Sequence, residues 1–286
     1  MTPRELLARW LSRQIPAEAQ AWLDKSAAQV RSSGKDADLY LAVSLVTRKV
    51  GKADLMLTEA DLRDASTSRN GWDPRQWSAD QAARVMLILE LESDPSRLAR
   101  GLEQLCNTAD VGEQAAFYRG LPLYPEQPRY VARATEGLRT NMKAVFEAIA
   151  HRNPYPSEQF PELAWNQMVL KALFVGALLW PIVGLDSRAN PELARMLCDY
   201  AHERWSAGRP VSPELWRCVG PYASGTMLQD LERVLKKGTE PERAAAALAL
   251  HASREPAAAA LLEREPAMTK SLARGDLSWE QIVAPH

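Results

Sequence analysis

The sequence predicts an all-α protein, built as an irregular α-solenoid of stacked, HEAT-like helical hairpins. Three observations carry that expectation. A capping residue followed by proline recurs at Asp73-Pro74, Asp94-Pro95, Asn190-Pro191 and Ser212-Pro213. Such pairs open helices, because the N–H that proline lacks has no intrahelical partner in the first turn. β-Branched residues do not cluster, and no strict period-two run stands between turn signals. Short helical segments follow one another on tight links, as in hairpins stacked on their neighbours.

About 14 helices are expected, in chain order. The first group lies near residues 3–13, 16–31, 36–49, 58–65, 78–91, 95–106 and 111–118. A longer segment near 129–150 follows the proline- and tyrosine-rich link at 118–130, and a second such link covers 151–161. The helix near 162–179 comes next, then 191–206 and 213–218. These three share the tripeptides Pro161-Glu162-Leu163, Pro191-Glu192-Leu193 and Pro213-Glu214-Leu215, which put a carboxylate in the first turn where the helix dipole favours it. The last helices lie near 225–237, 240–252 and 256–274, with Thr239 and Glu242 as a capping box before the alanine-rich run Ala244 to Leu250. No clean repeat period runs through the chain. A single all-α domain over 1–286 is expected, subdivided near 1–140 and 141–286.

Composition narrows the function classes. The chain has 286 residues, 46% hydrophobic and 25% charged, and can bury about three-quarters of its unfolded surface without a disulfide or metal. Thirty-five basic against 36 acidic side chains give a net charge of −1, which argues against nucleic acid as a partner. Cys106, Cys198 and Cys218 are widely spaced and odd in number, so neither a disulfide framework nor a zinc knuckle is expected. A cytoplasmic setting is expected on that ground and because no signal peptide is read at the N-terminus. The longest apolar run, Ala172 to Leu185, is broken by Gly176, Pro181 and Gly184 and is too short to span a bilayer. No transmembrane segment is expected.

The helix from Leu163 to about Phe174 is apolar on nearly every face, which marks it as central in its fold. Its exceptions, Asn166, Gln167 and Lys171, share one side, either as a solvent-facing stripe or as the wall of an internal cleft. In a cleft, Lys171 would attract an anion and Asn166 would orient it. Gly184 to Pro191 leads into a helix N-terminus, where Arg188 and exposed N–H groups suit a phosphate or carboxylate; the plainer reading is a turn in which Asp186 pairs with Arg188. Cys198 and His202 share a helix face with Asp199 beside them, but a zincin motif needs a second histidine where Ser206 stands, so no metal is expected. Trp72 and Trp77, on a polar loop after Asn70-Gly71, read as a partner contact. There is no nucleophile elbow, P-loop, dinucleotide fingerprint or aspartate-rich metal motif.

One stretch carries a family likeness. Asn153-Pro154-Tyr155-Pro156, Trp165-Asn166-Gln167-Met168-Val169-Leu170-Lys171, Gly184-Leu185-Asp186, Arg188-Ala189-Asn190-Pro191 and Asp199-Tyr200-Ala201-His202-Glu203-Arg204-Trp205 resemble the EboA family. The likeness runs from Asn153 to Pro221; residues 1–140 share only helical character and length with that family. The resemblance implies an accessory role in making or exporting a small metabolite, and it brings no established catalytic residue.

The expected function is therefore that of a cytoplasmic, non-enzymatic adaptor or small-molecule-binding protein in a metabolite pathway. The alternative is an enzyme acting on a polar or anionic metabolite through a pocket around Asn166, Lys171, Arg188 and His202. Candidate ligand-binding residues are His151, Asn153, Tyr155, Asn166, Lys171, Asp186, Arg188, Asp199 and His202, with no cofactor. They are expected to gather where the 163–179 helix meets the loops at 151–156 and 184–190. Expected partners are proteins of the same pathway, including peripheral contact with a membrane protein, or a small anionic metabolite.

Overall fold

A computed structural model describes residues 1–283, and among them the backbone is helical from end to end. Among the described residues there are eighteen α-helices, three short 3-10 turns and no strand; an isolated bridge joins Asp54 and Ser78. Most helices begin where the caps place them, but Asp73-Pro74 opens none: Asp73 is taken up by Arg75 and Arg152, and the segment turns before the helix that starts at Ala79. Thr2 accepts from Glu5 N at 3.2 Å while the Glu5 carboxylate accepts from Thr2 N at 2.9 Å, so two N–H groups at the helix start are satisfied reciprocally. Asp94 accepts from Arg97 N and Asn190 from Leu193 N as one-way caps, each one residue before a proline. The chain divides after Pro161 into two compact units, each with its own core.

The first unit contains α1 (Pro3–Ser12), α2 (Ala17–Ser32), α3 (Asp36–Val50), α4 (Glu59–Ser68), α5 (Ala79–Leu89), α6 (Pro95–Thr108), α7 (Val111–Arg119), α8 (Val131–Gly137), α9 (Lys143–Ala150) and the single turn α10 (Tyr155–Gln159). Helix α5 is its centre, with α1, α3 and α7 packed around it. Every α5 residue but Gln81 is buried. Its charged residues stay inside because they pair: Arg84 Nη1 donates to Asp80 Oδ2 at 2.7 Å, and Arg84 Nη2 to Thr47 Oγ1 at 2.8 Å. Trp72 and Trp77, read from the sequence as a partner contact, are core residues at 2% and 4% exposure. Their loop folds back so that Trp72 packs 5.4 Å from Trp10 and 5.9 Å from Trp77 between ring centres. The helix expected over 129–150 is interrupted between α8 and α9, where Arg139, Thr140 and Asn141 offer no apolar face to bury.

The second unit contains α11 (Glu162–Phe174), α12 (Pro191–Ser206), α13 (Leu215–Val219), α14 (Thr226–Lys237), α15 (Glu240–Ala252), α16 (Pro256–Glu263), α17 (Pro266–Arg274) and α18 (Trp279–Val283). Here α15 is central, because its buried alanines at 244–247 and 249 let α13, α14, α16, α17 and α18 approach closely. One close approach is at Gly220, where an added Cβ would stand 2.7 Å from the Ala249 carbonyl oxygen and 2.8 Å from its Cα. Helix α11, expected to reach residue 179, stops at Phe174 before Gly176, whose φ of 67° is left-handed. Nor is it buried all round, since Leu163 and Phe174 are 67% and 76% exposed. No helix among the described residues is long and apolar enough to cross a membrane.

Candidate functional site

The first unit holds a small polar cavity of about 40 Å³, enough for two or three water-sized groups. Helix α9 places Glu147 on its wall and leads into His151 and Arg152; α7 ends on Arg119; the loop before α5 brings Asp73 and Gln76. Arg152 takes a left-handed conformation at φ 51°, uncommon for a residue with a long side chain. That turn aims its Nη1 at Asp73 Oδ2, 2.7 Å away. Asp73 Oδ1 also accepts from Arg75 Nε at 2.9 Å. Burial pushes the Asp73 carboxyl up, but these hydrogen bonds outweigh it and hold the group below the usual carboxylate range. Arg119 Nη1 donates to Gln81 Oε1 at 2.6 Å and to the Gln76 carbonyl. Burial lowers the pKa of that guanidinium, with Glu147 opposing the shift. His151 is half-buried, its Nδ1 4.0 Å from Glu147 Oε1 one helical turn back.

Of the residues chosen from the sequence, His151 and Asn153 line this cavity. Asn153 does so as a wall. Its Nδ2 donates to the carbonyls of Tyr118 and Ala148 at 3.0 and 3.1 Å, and its Oδ1 accepts from Tyr155 N at 3.0 Å, so the side chain fastens the loop. Tyr155 is fully buried and donates from its hydroxyl to the Gln127 carbonyl at 2.7 Å. The other lining side chains, Asp73, Gln76, Arg119, Glu147 and Arg152, were not chosen from the sequence as site residues, and Trp77 was read there as a partner contact. Glu147 was legible, being one turn before His151 on the same helix face. Asp73 and Arg119 were not, because only tertiary packing brings them there.

The remaining candidates belong to the second unit. Asn166 is 1% exposed and forms a reciprocal amide pair with Asn190, at 2.8 and 3.2 Å, which ties α11 to the start of α12. Arg188 lies beside this pair, its guanidinium 4.7 Å above the Trp165 ring, and its carbonyl accepts from Asn190 Nδ2 at 3.1 Å. Burial lowers the pKa of Arg188, with Glu162 opposing, and lowers that of half-buried Lys171. Asp186 does not pair with Arg188 but accepts a bidentate contact from Arg217, at 2.6 and 2.7 Å. Asp199 is exposed beside Arg195 at 2.6 Å, and exposed His202 shares a 2.7 Å hydrogen bond with Asp230 Oδ1. The structure thus joins Asn166 and Arg188 through Asn190, whereas Asp186, Asp199 and His202 each have a separate partner.

Among the described residues no three His, Cys, Asp or Glu side chains cluster as a metal would need. Cys106, Cys198 and Cys218 are buried, and burial pushes each thiol up to about 12, so they stay protonated near neutral pH.

The family model described as "Metabolite traffic protein EboA" matches residues 3–220. The match begins at the first helix, so it takes in the part of the chain that had shown only helical likeness, together with every residue of the polar cavity. No curated protein and no solved structure matches the chain.

Proposed function

This chain belongs to the EboA family, and from that membership we propose that it is an accessory, non-enzymatic protein that holds a small polar metabolite during its production or transport. The site in this reading is the cavity of the first unit, with His151, Arg119 and Glu147 as its contact groups. One observation supports it above others. Arg119, Asp73 and Arg152 are half-buried around a hollow, and Arg152 accepts a left-handed backbone to be there. Charged groups and backbone strain gathered at a hollow cost stability and are common where a ligand binds. The family's description, metabolite traffic, favours binding over turnover.

In this reading the helices form stacked hairpins of the HEAT-like kind. The neighbour-on-neighbour packing of α14, α15, α16 and α17 supports that architecture. The cytoplasm and a pathway protein as partner belong to the same proposal.

The test is purification of the native protein from its source, followed by mass spectrometry of the small molecules released on denaturation. A polar metabolite should accompany the wild type, and Arg119→Gln should reduce its occupancy about tenfold or more, the usual consequence of losing a charge-assisted contact. His151→Gln should weaken retention in the same direction. Retention of the metabolite at the wild-type level by a correctly folded Arg119→Gln protein would overturn the proposal.

A further inference from the structure

The charge balance of the cavity bears on what it can hold. Its walls carry two carboxylates, Asp73 and Glu147, and two guanidinium groups, Arg119 and Arg152. Arg152 is neutralised by Asp73 at 2.7 Å, and Asp73 also takes the Arg75 guanidinium from outside the cavity. Arg119 faces the field of Glu147. The walls therefore offer no net positive charge. A phosphate or carboxylate entering here would meet two carboxylates at close range in a partly desolvated site, where like charges repel strongly. Anion binding is the wrong chemistry for this hollow.

What the walls do offer is a dense mixture of acceptors and donors. Asp73 and Glu147 only accept, Arg119 and Arg152 only donate, and Gln76 and His151 can do either. Trp77 adds an apolar surface among them. The functional group that satisfies adjacent donors and acceptors at once is the hydroxyl, and a row of hydroxyls on a carbon chain or ring does so repeatedly. We infer that the cavity binds the edge of a neutral polyhydroxylated compound, a sugar or sugar alcohol, with Glu147 and Arg119 bridged by neighbouring hydroxyls. A volume of about 40 Å³ admits such an edge and leaves the rest of the molecule outside. This inference rests on the cavity being the metabolite site and adds the ligand's chemical class.

The chain contains four histidines, so the His151 ring signals in NMR spectra are readily assigned and report directly on the cavity. The experiment titrates the full-length protein with D-glucose, erythritol and inorganic phosphate in turn. The two polyols should shift the His151 ring saturably, and phosphate should leave it unmoved. Glu147→Gln removes one negative charge without changing shape; it should weaken the polyol titration about tenfold and bring phosphate binding into view. His151 shifts caused by phosphate alone in the wild type would overturn the polyol assignment while leaving the cavity a binding site. A His151 ring unmoved by either polyol would also overturn it. Failure of the site itself is read separately, from metabolite retention by Arg119→Gln.

Discussion

Asp61 is 2% exposed and closes the start of α4. Its Oδ2 accepts from Thr58 N at 2.9 Å, Thr58 Oγ1 at 2.8 Å and Arg13 Nη2 at 2.8 Å, while Arg9 reaches Oδ1 at 3.4 Å. Burial pushes the carboxyl up, but these donors outweigh it and hold the pKa at about 2. In the unfolded chain an aspartate titrates near ~3.9, so the folded state prefers the ionised form by about 2 kcal/mol. Because the folded value is the lower one, that stability is complete above the unfolded pKa and is lost as pH falls toward about 2. Asp61→Asn should therefore cost about 2 kcal/mol at pH 7, with the difference from wild type closing between roughly pH 5 and pH 2. Urea unfolding across that range measures it, and a difference that ignores pH would refute the assignment. Asn153 and Asn166 teach the complementary lesson. Both were visible in the sequence as candidate polar groups, yet the Tyr118 carbonyl that Asn153 binds lies 35 residues away and the Asn190 amide that pairs with Asn166 lies 24 away. Spacing within one helix cannot show that an amide is already spoken for.

Helix boundaries were legible because caps act locally; Thr2, Asp94, Asn190 and Thr239 each open a helix at the expected place. Which helix is central was not legible. Helix α5 carries Asp80, Gln81 and Arg84 and so reads as amphipathic, whereas α11 reads as apolar on nearly every face. The order reverses in the fold because Asp80 and Arg84 satisfy each other, with Thr47 and Ser78, inside the first unit. That arrangement makes α5 dependent on its ion pair. With side chains only 6% and 3% exposed, Asp80 and Arg84 cannot turn to water if one is lost. Arg84→Met should destabilise the first unit by about 3–5 kcal/mol, because a carboxylate is then buried without its cation. The double variant Asp80→Leu/Arg84→Met should recover much of that loss. Denaturant unfolding of the three proteins decides it, and equal stability of Arg84→Met and wild type would show that the pair contributes nothing.

At the scale of the whole chain, the family match and the physical boundary fall at different places. The match ends at residue 220, whereas the first compact unit ends at Pro161. Residue 220 lies inside the second unit, at a close contact: Gly220 rests against the backbone of Ala249, and α13 packs on α15. A chain cut after 220 keeps Leu215, Trp216, Cys218 and Val219, all buried in the intact protein, and removes the helix that covers them. Exposed apolar surface of that kind drives association. A chain cut after Pro161 keeps the whole first core around α5 and leaves nothing of the second. The fragment 1–161 should therefore be helical by circular dichroism and melt in one cooperative transition, while 1–220 should bind a hydrophobic dye and aggregate on heating. If 1–220 proves as stable and dye-free as the full chain, residues 221–286 are not part of the second core, and the packing of α13 on α15 has no energetic weight.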